Sequence, residues 1–251
     1  TNNGPPGLYL YSGSPVVRDN TISNNGTNGI YAQYSTPTID GNIITDNASY
    51  GINFYDARNA PVITGNTITG NNKPIRLPFS AVPGPGDGNT LLPNTINQIE
   101  FLGNSLNRNL VLGGGGVKVY YQVNGTATVA AGVKLTVEPG VIWKFGSADA
   151  LTVDGALYAV GTESDKIVFT SYRDDAYGGD TNGNGFSAGQ PGDWDRITYT
   201  DSVIDFLARL DHVMIRYGGS GNNGSVYLDR SNVPLRNSEI RDSSSYGLYI
   251  Y

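Results

Sequence analysis

The chain has 251 residues, a net charge of −6 and no cysteine. The acidic balance excludes the basic face that phosphate backbones require, and the lack of cysteine excludes disulfides, thiolate nucleophiles and zinc–thiolate sites. Hydrophobic residues are only 38% and glycines number 34, so turns and short strands are expected, and no apolar run is long enough to cross a membrane as a helix.

The stretch from Gly7 to Leu77 carries three copies of one unit, starting at Pro15, Pro37 and Pro61. Gly7, Gly29 and Gly51 fall 22 residues apart, and Asn20, Asn42 and Asn66 fall 22 and 24 apart. Such a period signals stacked supersecondary units. Within each copy the apolar residues alternate. Leu8 and Leu10, Ile30 and Ala32, and Ile52 and Phe54 point one way, while Tyr9, Tyr31 and Asn53 point the other. Each strand returns one repeat later, so parallel stacking of coils is the economical arrangement, with a right-handed path favoured by strand chirality.

The pairs Ile75/Leu77 and Ile99/Phe101 keep this step across Pro83-Gly-Pro-Gly-Asp-Gly88, which therefore reads as a turn inside one solenoid. Leu135-Thr-Val137, Leu151-Thr-Val153 and Ile167-Val-Phe169 recur every 16 residues and suggest shorter coils. Tyr172 to Asp195 has almost no apolar periodicity and reads as a projecting loop. The expected layout is one continuous solenoid of about ten coils. It has long coils over 1–77, irregular coils over 78–116, short coils over 117–171, the loop over 172–195 and long coils over 196–251.

Leu235, Ile240 and Gly247 lie 218 residues after Val17, Ile22 and Gly29, and Gly247-Leu-Tyr-Ile-Tyr251 matches Gly7-Leu-Tyr-Leu-Tyr11 at an offset of 240. Residues 7–246 thus read as one super-repeat of a longer array. Asn20, Asn42 and Asn66 are expected at corners in the left-handed conformation, their amides bonding coil to coil; Asn25, Asn47 and Asn71 would form a second ladder.

Ser14-Pro-Val-Val-Arg-Asp-Asn-Thr-Ile-Ser-Asn-Asn25 with Gly29-Ile30 resembles the parallel β-helix repeat of the pectate-lyase-like superfamily. Leu135 to Phe145, Leu151-Thr-Val-Asp-Gly155, Ile167 to Ser171 and Pro191-Gly-Asp-Trp194 resemble modules of large bacterial secreted and surface-attached β-helix proteins. The resemblance implies an all-β, right-handed parallel β-helix. Its activities range over lyases, hydrolases, epimerases and non-enzymatic adhesins, so the fold alone does not choose among them.

Glycoside hydrolysis needs two carboxylates across one cleft. The Asn-Thr-Asp, Gly-His-Gly and Arg-Ile-Lys motifs of polygalacturonase-like relatives are absent, and Asp174-Asp175 is the one Asp-Asp pair. A lyase would use an outward Arg or Lys with calcium; Arg76 follows Asn53 in its row, but Glu100 comes next and reads as its ion-pair partner. The single histidine, His212, is expected on a strand as a structural residue. The Gly113–Gly116 run lacks the Lys-Ser/Thr ending of a phosphate loop.

Asp180-Thr-Asn-Gly-Asn-Gly185 matches the opening of a calcium loop, with oxygens at Asp180, Asn182 and Asn184 and a glycine at the sixth position. Pro191 replaces the closing glutamate, leaving Asp174, Asp175 or Asp193 to supply charge; the alternative is a flexible acidic loop without an ion. Tyr9, Tyr31 and Tyr249 share one outward repeat position and Tyr11, Tyr55 and Tyr251 another; such rows brace one another on a flat sheet, the structural reading, and also suit sugar stacking or protein contacts. The reading is a non-enzymatic extracellular or bacterial cell-surface module, a spacer, adhesin or carbohydrate-binding surface with calcium as its cofactor. Its partners would be a polysaccharide or another surface protein and adjacent β-helix modules, without nucleic acid. The alternative is a polysaccharide lyase or glycoside hydrolase acting on an acidic polysaccharide.

Overall fold

Three-residue strands with one inward side chain each cannot hold a hairpin together, but stacked in parallel they form a continuous core. The computed structural model describes residues 4–56, 61–221 and 224–251. The chain is all-β, with parallel ladders, three short 3-10 turns and no α-helix among the described residues. It divides into two compact units, Thr1–Leu102 with Gly114–Val117, and Gly103–Gly113 with Lys118–Tyr251. Together they hold about ten solenoid turns.

In the first unit one ladder runs through Leu8–Gly13, Ile30–Ser35, Tyr50–Phe54, Lys73–Pro78 and Gln98–Leu102. Its register places Leu8 beside Ile30, Ile30 beside Ile52, and Ile75 beside Ile52 and Ile99. The Pro83–Gly88 turn therefore leaves the step intact. Two shorter ladders complete the coil. One joins Val16–Arg18, Thr38–Asp40 and Val62–Thr64; the other joins Thr21–Ser23, Ile43–Thr45 and Thr67–Thr69. Ile30, Ile39, Ile44, Ile52, Phe54 and Ile68 are fully buried between them.

Both asparagine ladders form, with a correction to their backbone. Asn42 N–H and Nδ2 donate to Asn66 Oδ1 at 2.9 and 3.0 Å, and Asn66 repeats this onto Asn89. Asn47 does the same to Asn71, and Asn71 to Asn94. The left-handed residue is the one before each ladder asparagine: Asp19 (φ 56°), Gly41 (66°) and Gly65 (64°), and Asn24 (58°), Asp46 (56°) and Gly70 (70°). The corner is made by that preceding residue, which turns outward. The next residue can then send its amide inward, where Asn42, Asn47, Asn66 and Asn71 are buried.

In the second unit the three ladders are complete. The first contains Val119–Val123, Ile142–Phe145, Ile167–Ser171, Val213–Arg216 and Glu239–Arg241. The second contains Ser105–Leu106, Thr126–Val129, Ala150–Val153, Ile197–Tyr199, Val226–Leu228 and Leu248–Ile250. The third contains Leu110–Leu112, Lys134–Val137, Ala156–Val160, Arg209–Asp211 and Leu235–Arg236. The expected short coils are absent. Leu135 pairs with Leu157, Leu151 with Ile197, and Ile167 with Val213, so the three motifs lie on three different ladders. A spacing of 16 residues carries the chain two sides round a three-sided coil; it is not a coil period.

His212 also differs from expectation. It lies between two strands with φ 49°, and its Nδ1 sits 2.9 Å from Asp211 Oδ1. The residue in the next coil, Asn237, has φ 47°. His212 therefore makes a corner, a conformation that histidine tolerates better than most residues.

Candidate functional site

The outer face of the first unit follows from strand parity. Tyr9 pairs in register with Tyr31, and Tyr31 with Asn53; Asn53 pairs with Arg76, and Arg76 with Glu100. The Tyr9 and Tyr31 rings stack with centroids 5.5 Å apart, and Tyr9 lies 6.2 Å from Tyr11. Tyr9 Oη donates to Gln33 Oε1 at 2.8 Å, which fixes the ring between two coils. Tyr11 stands opposite Gln33, and Tyr55 is the next outward position after Phe54. Tyr9, Tyr11 and Tyr55 are each more than half exposed. Partial burial, then the Tyr9 hydroxyl, pushes the Tyr31 hydroxyl above the ordinary phenol value.

Tyr34 also belongs to this patch, meeting Tyr11 edge-on at 5.8 Å. Sequence alternation misses it, because parity from Tyr31 would point Tyr34 inward. Its left-handed backbone (φ 51°) breaks the alternation and turns the ring out. The motif does hint at this, since Ser35 two positions before Pro37 already signals a turn. Tyr249 lies in the second unit, where it pairs with Tyr227 at 5.6 Å, and Tyr251 follows the last strand there.

The aromatic patch leads along its row into charge. Glu100 is buried and accepts from Lys73 Nζ at 3.2 Å and from Tyr50 Oη at 2.7 Å, and its Oε1 lies 3.2 Å from Arg76 Nε as an ion pair. The Arg76–Glu100 pair expected on the surface is thus part of a partly buried cluster carrying two cations on one carboxylate.

The segment 172–195 lies against the second unit instead of projecting from it. Tyr172 stacks on Tyr121 at 6.0 Å, and Gly178 passes so close that an added Cβ would come within 3.1 Å of Val119. The reason is charge. Tyr121, Lys144, Thr170 and Arg216 occupy successive positions of one outward row. Lys144 is fully buried under the segment, donating to Gly179 O at 2.6 Å with Asp175 Oδ1 3.8 Å away. Burial pushes its ammonium pKa down, against the opposing pull of Asp175, Asp174 and Asp180. Asp174 faces the other cation: its Oδ2 accepts from Thr170 Oγ1 at 2.6 Å and lies 3.2 Å from Arg216 Nη1. The two adjacent aspartates therefore cap two adjacent cations of one row.

The remaining loop residues have separate tasks. Asp193 accepts from Ser171 Oγ at 2.6 Å, Gln190 N–H at 2.8 Å and Arg173 Nη1 at 3.1 Å, closing the loop neck. Next to it Trp194 is buried, stacked on Phe145 at 4.2 Å and donating Nε1–H to Arg216 O. Asp180 accepts N–H bonds from Gly183, Asn184 and Gly185, which hold its carboxyl below the ordinary range. Asn182 Oδ1 accepts from Asn184 N–H. Among the described residues no group of three or more His, Asp or Glu is placed to hold a metal ion. The structure therefore brings Asp180, Asn182 and Asn184 into one turn, while Asp174, Asp175 and Asp193 face protein cations and hydroxyls.

A family model described as a right-handed β-helix region matches residues 1–130. No curated protein and no solved structure matches the chain.

Proposed function

The chain belongs to the right-handed β-helix family, and from that premise we propose that it is a non-enzymatic extracellular or cell-surface module whose tyrosine face binds carbohydrate. The family fold itself supports a structural or carbohydrate-related module. One observation carries the finer reading: Tyr9, Tyr11, Tyr31 and Tyr34 form a continuous, solvent-open ring patch on a rigid ladder. Pyranose faces stack on such rings, and the Gln33 amide beside Tyr9 and Tyr11 supplies a hydrogen-bonding group between them. A rigid ladder also keeps the ordering cost of binding low.

The test pairs a glycan array with a polyuronate depolymerisation assay. Binding that falls at least tenfold in Tyr9→Ala and Tyr31→Ala, without depolymerisation, supports the proposal. Depolymerisation abolished by Arg76→Ala would move the assignment to the lyase alternative. Absence of both would leave only a spacer.

We also propose calcium at the Asp180–Gly185 turn. Three N–H bonds curl it around Asp180, hard oxygens stand at Asn182 and Asn184, and Gly185 has the positive φ (85°) that a sharp loop needs. Calorimetry reads this directly: an Asp180→Ala chain with unchanged calcium affinity defeats it. Adjacent modules of the same polypeptide are proposed partners, and nucleic acid is not.

A further inference from the structure

The ladders have a direction. From Asn20 through Asn66, and from Asn25 through Asn71, each ladder asparagine donates its N–H and Nδ2 to the Oδ1 of the asparagine one coil later, never to that of one coil earlier. Asn20 and Asn25 donate in this way, yet among the described residues no donor meets their own Oδ1 atoms. Around them lies an open hollow of about 520 Å³ lined by Leu8, Val17, Asn20, Ile22 and Asn25. Leu8 and Leu10 are partly exposed, whereas their successors Ile30 and Ala32 are fully buried.

The last coil has the complementary deficit. Leu210, Ile215 and Val226 are at most 1% exposed, while the residues above them, Leu235 and Ile240, are half-buried and Leu248 is 36% exposed. Here serine takes the ladder position: Val213 N–H donates to Ser238 Oγ at 3.1 Å, as Asn20 N–H does to Asn42 Oδ1. By the same geometry the next donor in the ladder is Ser238 N–H.

We propose that the last coil is covered by the first coil of a second copy of this sequence, continued in tandem with a period of 240 residues. Two spacings agree on that register. The match of Gly247–Tyr251 to Gly7–Tyr11 gives 240 directly. The match of Leu235, Ile240 and Gly247 to Val17, Ile22 and Gly29 gives 218, and the first unit adds 22 residues from one coil to the next. In this register Leu248–Tyr251 itself serves as the strand Leu8–Tyr11 of the second copy. Val17 of the second copy then stacks on Leu235 and Ile22 on Ile240, and Ile30 covers Leu248. Asn20 Oδ1 receives Ser238 N–H, and Tyr31 extends the Tyr227–Tyr249 row. The proposal stands apart from carbohydrate binding and survives its failure.

The test uses a two-copy chain, residues 1–246 followed directly by 7–251, beside two full chains joined by a long Gly/Ser linker. Amide exchange is read at Leu235–Arg236 and Glu239–Arg241 of the first copy and at Val16–Arg18 of the second. The proposal expects at least 100-fold slower exchange at all three strands in the direct fusion, and single-copy rates in the linker-joined chain. Rates within threefold of the single copy in the direct fusion overturn it. So does a direct fusion that loses cooperative unfolding while the linker-joined chain keeps it.

Discussion

Replacing Asn66 by alanine tests the load carried by the buried amide ladder. Asn66 is 1% exposed. Its Nδ2 donates to Ile39 O at 2.8 Å, Thr64 O at 2.9 Å and Asn89 Oδ1 at 3.0 Å, and its Oδ1 receives both donors of Asn42. Some losses are cushioned. Asn89 Oδ1 keeps the Asn66 N–H, Thr64 O keeps Gly41 N–H, and Asn42 Nδ2 keeps Val17 O and Asp40 O. Asn42 N–H is not cushioned, because Asn66 Oδ1 was its acceptor. A buried orphaned donor costs about 1–3 kcal/mol, and each further lost bond about 1 kcal/mol, so Asn66→Ala should cost about 3–4 kcal/mol. Asn20→Ala removes bonds from an exposed side chain that water can replace, and should cost under about 1 kcal/mol. Asn66→Asp should be at least as damaging as alanine, since a carboxylate would face three acceptors. Both tryptophans, Trp143 and Trp194, lie in the second unit, so fluorescence is blind to this change. Amide exchange at Ile44 and Ile68 under denaturant is the suitable assay. A difference below about 0.5 kcal/mol between Asn66→Ala and Asn20→Ala would refute the reasoning, because such a gap is ordinary for surface substitutions.

Lys144→Ala strands the buried Asp175 carboxylate and Gly179 O, so it should cost about 3–5 kcal/mol, and limited proteolysis within 172–195 should accelerate. Trp194→Ala empties a stacked core site and orphans Arg216 O, with an expected loss of about 3–5 kcal/mol by denaturant unfolding of the second unit. Asp149 is buried, and burial pushes its carboxyl up to about 6 despite N–H bonds from Gly125 and Gly146. A raised folded-state pKa means the folded chain holds the proton longer than the unfolded one. Stability from this group is therefore greatest below about pH 4 and falls by about 3 kcal/mol as pH rises through 6. The difference between the pH–stability curves of the natural chain and Asp149→Asn isolates this, and a carboxyl-carbon NMR midpoint below 4.5 would contradict it.

How far the sequence speaks depends on whether a feature repeats. The inward alternation of Ile30, Ile52 and Ile75 and the pairing of Arg76 with Glu100 could be read directly, because each strand recurs one coil later and the period supplies the partner. The same periodic logic misled at Leu135, Leu151 and Ile167. A three-sided coil has side-to-side spacings as well as turn-to-turn spacings, and apolar motifs on different sides look alike. It misled again at Asn20, Asn42 and Asn66. Asparagine suits both a left-handed corner and an inward amide, and only the φ of the preceding Asp19, Gly41 and Gly65 separates the two.

The loop shows the other limit. Residues 172–195 have no repeat partner, so their polar composition gave no sign of what they cover. The missing clue lay outside the loop, in Lys144 and Arg216. Both stand at outward positions of strands that are otherwise apolar, and each would be left buried without a counter-charge once a chain segment crossed the row. Asp174 and Asp175 supply those counter-charges in two consecutive residues, because neighbouring side chains diverge and can reach separate cations. This makes the Asp-Asp pair a structural clamp and leaves Asp180 as the loop carboxylate held by backbone N–H groups alone. If the segment takes calcium, the ion should therefore depend on Asp180 and be insensitive to Asp174→Asn. A calcium affinity that falls tenfold in Asp174→Asn, with Lys144 and Arg216 unchanged, would show that the clamp and the cation turn are one site.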